Sequence, residues 1–147
     1  MSYVWGDARV KEKICYGHGD LSITKNAAAA LRRLRYVDEP RLLWTDQICI
    51  NQNDLPERSS QVNLMDKIYR NAERVLMWLS DDPDNQAPLA QEFIRDIVPR
   101  WEIPFPDSDM PNEDNLKKHG LPSPASPTWA ALEALMTQRY FTRVWML

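Results

Sequence analysis

A chain of 147 residues has the size of one domain and can bury a single hydrophobic core. Hydrophobic residues at 44% and charged residues at 27% exclude a disordered chain. A net charge of −3 with mixed signs gives no electrostatic case for nucleic acid or an anionic membrane.

Nothing approaches the run of about 18 apolar residues that a membrane span needs, and no signal peptide opens the chain. Cys15 and Cys49 make no disulfide framework, so a reducing, cytoplasmic setting is expected. Cys49 lies in an apolar run and reads as a small core residue. His18 and His119 stand alone, without ligand-spaced company for a metal.

Met1 to Trp5 is short, apolar and aromatic and ends at Gly6-Asp7, the pattern of a buried strand entering a turn. Between Ile14 and Ile23, Gly17, Gly19 and Asp20 interrupt apolar flanks, which predicts two extended pieces joined by a turn. Thr24 or Asn26 can cap the next helix. Ala27, Ala30, Leu31 and Leu34 recur there at helical spacing, and Arg32, Arg33 and Arg35 form a solvated face.

Leu42 to Ile50 is apolar and β-branched, bounded by Pro40 and by Asn51-Gln52-Asn53-Asp54, and is predicted to be a central strand followed by a loop. A helix then opens with Asp54 as N-cap, Pro56 in the first turn and Glu57 three residues after the cap, a capping-box pattern. Val62, Met65, Ile68, Tyr69 and Ala72 are its expected buried stripe. Val75 to Leu79 reads as a second buried strand, closed by Ser80-Asp81-Asp82-Pro83. Strand, helix and strand make a βαβ unit, so the expected fold is α/β with Val4, Trp44–Ile50 and Val75–Leu79 side by side in a parallel sheet. The Ala27–Arg35 and Ser59–Glu73 helices should flank it.

A helix from about Leu89 to Val98 follows. The stretch 99–127 holds seven of the eleven prolines and little periodicity, and reads as a long loop or insertion. Ser126-Pro127 opens a last helix through Trp129, Leu132 and Met136. The chain stops inside the apolar run Val144-Trp145-Met146-Leu147, so a domain cut short at both ends is expected.

Asp46 is the chemically notable residue of the Leu42–Ile50 run. A carboxylate there is costly unless paired, and the late half of a parallel strand is where open α/β sheets hold ligands. It can equally be a structural aspartate that ties down loop amides. Asn51, Gln52, Asn53, Asp54 and Glu57 form a polar group at a helix N-terminus, whose N–H groups suit a phosphate or carboxylate. The plainer reading of Asp54 and Glu57 is the capping box, with the Glu57 carboxylate on the Asp54 N–H. Arg58 can pair with Asp54 at i,i+4 or reach a phosphate. No nucleophile-and-base motif, phosphate-cradling glycine loop or zinc spacing is present.

Ser2-Tyr3-Val4-Trp5-Gly6-Asp7, Ile23-Thr24-Lys25-Asn26 and Leu43-Trp44-Thr45-Asp46-Gln47-Ile48-Cys49-Ile50-Asn51-Gln52 together resemble the signature of the fungal heterokaryon-incompatibility (HET) domain. The likeness continues through Asp54, Glu57-Arg58, Gln61-Val62, Met65, Ile68-Tyr69 and Ala72 to Val75-Leu76-Met77-Trp78-Leu79. It closes on Tyr140-Phe141-Thr142-Arg143-Val144-Trp145, and the Pro-rich segment stands as a variable insertion.

The resemblance implies an effector of nonself recognition that triggers cell death. HET domains are similar to TIR domains, which implies a TIR-like (flavodoxin-like) sheet and TIR-like self-association with protein partners. It also implies an alternative, an NAD hydrolase with NAD as substrate. Trp5 would then stack on the base and the Asn51–Asp54 loop, with Gln52, would hold ribose and pyrophosphate, while Gly6, Asp46 and Arg58 complete the expected ligand-binding set. Trp5 can equally be a core residue at a strand end. The glutamate of NAD-cleaving TIR enzymes lies four residues after a tryptophan of the closing block. Counted from Trp145, that position falls past Leu147. Asp46 and Glu57 are the carboxylates left as catalytic candidates, and the 147-residue chain is expected not to cleave NAD.

Overall fold

Thr24 begins α1 (Lys25–Leu34) as its N-cap, with its hydroxyl accepting the Ala27 N–H. Four successive alanines favour helix and let its backbone approach its neighbours closely. Ala27, Ala28 and Ala30 are completely buried, while Arg32, Arg33 and Arg35 point outward as expected. Arg32 makes a bidentate pair with Glu12. The computed structural model describes residues 1–98 and 113–142, and the chain divides into two compact units, Met1–Asp81 and Asp82–Leu147.

In the first unit, β1 (Ser2–Tyr3) is followed by the hairpin β2 (Lys11–Tyr16) and β3 (Gly19–Thr24). The hairpin is antiparallel, with Ile14 opposite Leu21 and Tyr16 opposite Gly19. Gly17 takes φ +57°, the left-handed conformation that a tight reversal needs and glycine adopts without strain. The two extended pieces joined by a turn are thus observed. After α1 come α2 (Asp46–Cys49), α3 (Leu55–Asn71) and β4 (Met77–Trp78). β1 and β4 pair in parallel, with Ser2 opposite Met77 and Tyr3 opposite Trp78, and the Ser2 N–H donates to the Leu76 carbonyl at 2.7 Å. The core gathers Tyr3, Ile23, Trp78 and the α1 alanines, with Trp5, Ile14, Leu21, Leu31 and Ile48 packed around them.

The fold is therefore mixed α/β, with a small parallel sheet flanked by helices. Three expectations are corrected. Leu42–Ile50 is not a strand: residues 41–45 pair with no strand, Leu42 is fully exposed, and Asp46–Cys49 is one helical turn. Periodicity cannot separate a short buried strand from a buried helical turn. Here the Asp46 carboxylate bonds the Gln47 N–H locally, an option that competes with a strand ladder. The parallel sheet loses its middle strand in consequence. Cys49 is exposed, not a core residue, because that turn aims it outward. The stripe expected on α3 is not buried either. No residue of α3 is buried, and Val62 and Tyr69 are exposed.

The second unit is helical where described. Asp82 opens α4 (Ala87–Ile97) by accepting the Gln86 and Ala87 N–H groups, each at 2.8 Å. The span 99–127 is not loop throughout: Glu113–Lys118 forms α5, and only 99–112 lies outside the described residues. Gly120 (φ +65°) ends α5, its N–H on the Lys117 carbonyl and that of Leu121 on the Leu116 carbonyl, a Schellman closure. Ser126 caps α6 (Pro127–Met136) as expected. Phe93 of α4 meets Trp129 of α6 edge-on, with ring centroids 4.9 Å apart. The closing block is a 3₁₀ turn at Arg139–Thr142, and Arg143 to Leu147 lie outside the described residues.

Candidate functional site

Asp46 sits half-buried at the first position of α2, where its two oxygens are both engaged. Oδ2 accepts the Trp5 indole N–H at 2.9 Å, and Oδ1 accepts the Gln47 N–H at 2.8 Å. The Asp46 carbonyl accepts from Gln52 Nε2 at 2.8 Å. Gln47 carries the chain of bonds onward: its Oε1 accepts both the N–H and the hydroxyl of Thr24 at 3.1 Å. One carboxylate and one amide thus join the end of β1, the N-terminus of α1 and the turn α2. Hydrogen bonds to a carboxylate are among the stronger ones available to such a joint.

Asn26 makes a second joint. Its amide N–H donates to the Val4 carbonyl, and its carbonyl accepts the Trp78 indole N–H at 3.0 Å. It thereby fastens the segment after β1 to β4. Gly6 lies beside it with φ +74°, and a Cβ there would sit 3.7 Å from Asn26 Cβ. The glycine is needed for its backbone conformation, not for lack of space.

Asn51, Asp54 and Glu57 form a cap on α3. Asp54 Oδ1 accepts the Glu57 N–H at 3.0 Å, as a capping aspartate should. Glu57 does not return the bond to Asp54. Its Oε1 accepts the Asn51 N–H at 3.0 Å, because the Asp54 N–H is already on the Asn51 carbonyl in the preceding turn. Asn51 Oδ1 accepts the Asn53 N–H at 3.1 Å. The N–H groups of Asn51, Asn53, Asp54 and Glu57, which sequence offered to a phosphate, are thus used within the loop. Arg58 is exposed and forms no ion pair with Asp54 among the described residues.

The structure therefore brings Trp5, Asp46 and Gln52 together, keeps Asn51, Asp54 and Glu57 as a separate cap, and leaves Arg58 apart from both. Sequence reading missed Gln47 and the role of Asn26. The available signal was position: each is a polar amide within two residues of a helix start, where side chains are best placed to serve more than one element. It also missed Thr45, whose hydroxyl is buried without a hydrogen-bond partner among the described residues. In the second unit, an open cleft of about 520 Å³ is lined by Leu89, Phe93, Arg95, Pro122 and Thr128, none of them a site candidate from sequence.

A mixed α/β unit with a parallel strand pair, joined by a Trp–Asp–Gln bond network, is the class of protein that the geometry defines. The family model described as Heterokaryon incompatibility protein (HET) matches residues 1–147. The chain is also 33% identical over 149 residues, covering 88% of its length, to Heterokaryon incompatibility protein 6, OR allele, of Neurospora crassa. It belongs to the HET family. The chain spans about a fifth (21%) of that relative's length. No solved structure matches the chain. No helix among the described residues is long and apolar enough to cross a membrane.

Proposed function

We propose that this chain is the effector module of a fungal heterokaryon-incompatibility protein. It triggers cell death through TIR-like self-association and recruitment of protein partners in the cytoplasm. The observation that carries this reading is the employment of the polar residues as joints. Asp46 and Glu57, the two carboxylates that could act on a ribose, hold the Trp5 indole and the Asn51 amide. A group that stabilises a developing oxocarbenium ion must face the sugar instead. The parallel pairing of β1 with β4 supports the TIR-like reading of the sheet.

The alternative is NAD cleavage with Trp5, Gly6, Asp46, Asn51, Gln52, Asp54 and Arg58 around the nucleotide. It draws on the exposure of Arg58 and on the N-terminus of α3 nearby. Two measurements separate the readings. The purified 147-residue chain is incubated with NAD, and the parent protein carrying Asp46→Ala or Glu57→Gln is expressed in a fungal host and scored for killing. No turnover, with killing retained in a folded Glu57→Gln protein, is expected. Turnover by the purified chain, or loss of both killing and NAD consumption in folded Glu57→Gln, overturns the module reading.

A further inference from the structure

Helix α3 carries two separate apolar stripes. Met65 and Ile68, with the polar Glu57 and Gln61, are half-buried and lie on one side of the helix. At about 100° per residue, the line Leu55, Val62 and Tyr69 lies about a quarter-turn away from them. These three stand seven residues apart, the spacing that keeps side chains on one seam of a paired helix. They are 60%, 59% and 38% exposed and span the helix from its first turn to its last. A solvated face has no need of three large apolar side chains in register.

The charges around this line are symmetric about its centre. Arg58 precedes Val62 by four residues, and Asp66 follows it by four. Leu55 and Tyr69 stand seven residues to either side. A two-fold axis through Val62 would bring two α3 helices together antiparallel. Val62 would then meet Val62, Leu55 would meet the other copy's Tyr69, and each Arg58 would face the other copy's Asp66. Such an isologous contact needs one self-complementary patch, and this face has that property in residue register and charge. Asp66 is already in an ion pair with Arg70 at 2.8 Å, but the two side chains are 67% and 78% exposed. An exposed pair of this kind contributes little and leaves the carboxylate open to a second guanidinium.

The geometry points to α3 as a homodimer surface: a second copy of this chain packs antiparallel along Leu55, Val62 and Tyr69, with reciprocal Arg58–Asp66 pairs. This names a surface for the self-association proposed above and rests on that reading. One helix against its own copy makes a small interface, so the dimer should be weak, with a dissociation constant on the order of micromolar to tens of micromolar.

The test is sedimentation velocity of the 147-residue chain over a concentration series, with folding of each variant checked by circular dichroism. Val62→Glu should weaken association at least about a hundredfold, since it sets two carboxylates on the axis. Arg58→Glu and Asp66→Arg should each weaken it about tenfold, by facing like charges across the contact. Mixing the two single variants should restore association. In the mixed dimer the carboxylate introduced by Arg58→Glu meets the guanidinium introduced by Asp66→Arg, and the native Asp66 of one copy meets the native Arg58 of the other. A merely destabilised helix cannot produce that rescue, and a parallel pairing, which sets Arg58 against Arg58 and Asp66 against Asp66, would not be weakened by either single charge reversal. A dimer indifferent to Val62→Glu, or variants that fail to complement, would overturn the α3 surface while leaving self-association in place. A chain that stays monomeric up to about a millimolar overturns both.

Discussion

Helix α1 is ten residues long and completely buries three alanines, whereas the seventeen-residue α3 buries none of its side chains. Both begin at caps that are legible in the sequence, Thr24 and Asp54, each bonding the amide three residues on. Small side chains allow α1 to lie close against Tyr3, Ile23 and Trp78. The apolar residues of α3 are larger, yet they divide between two stripes, one half-buried and one exposed. A cap decides where a helix starts. Depth of burial depends on whether its apolar residues share one face and whether that face meets a partner.

The sharpest way to break this contrast is to remove the joint that holds α1 in place. Asn26→Leu leaves the Val4 carbonyl and the Trp78 indole N–H without their partner. Unmade bonds of this kind cost about 1–3 kcal/mol each, so a loss of about 3 kcal/mol is expected in urea unfolding. A loss below about 1 kcal/mol would show that the joint is dispensable.

The second experiment compares the two helices directly. Ala28→Leu inserts three carbons where there is no room and should cost about 2 kcal/mol. Leu64→Ala, on an exposed part of α3, should change stability by less than about 0.5 kcal/mol. Equal effects at the two sites would mean that α3 is covered in solution as α1 is.

A smaller effect of opposite sign is expected at Thr45. Its buried hydroxyl has no partner among the described residues, and Thr45→Val removes it while keeping the branched shape, which should stabilise the chain by up to about 1 kcal/mol. Destabilisation by a similar amount would reveal a bond formed by that hydroxyl in solution.

The smallest effect concerns the turn after β1. Arg9 donates to both Asp7 oxygens, and these side-chain bonds, with that of the Arg9 N–H, hold the Asp7 carboxyl below its ordinary pKa. A depressed folded pKa gives support that is present above the unfolded value and lost as pH falls through the folded one. The pair is exposed, so the signature is local. An NMR titration should find the Asp7 midpoint below that of a free aspartate, and Arg9→Gln should move it back up.

The sequence by itself determined the family, the hairpin at Lys11–Tyr16 and Gly19–Thr24, and the starts of α1, α3 and α6. Each of these structural features rests on short-range chemistry: a glycine at positive φ, an oxygen two or three residues from an amide, an alanine run. Trp5, Asp46 and the Asn51–Glu57 group were also nameable from sequence as the polar centre of the first unit, but their partners were not. Only the tertiary structure decided that Asp46 starts a helical turn and bonds Trp5, 41 residues away, and that Asn26 bonds Trp78 across 52. It alone decided that Leu42–Ile50 is not a strand, since strand formation needs a partner ladder. An apolar run favours burial or pairing, but which of its residues find a neighbour is left to the tertiary structure, as the exposed Leu42 shows.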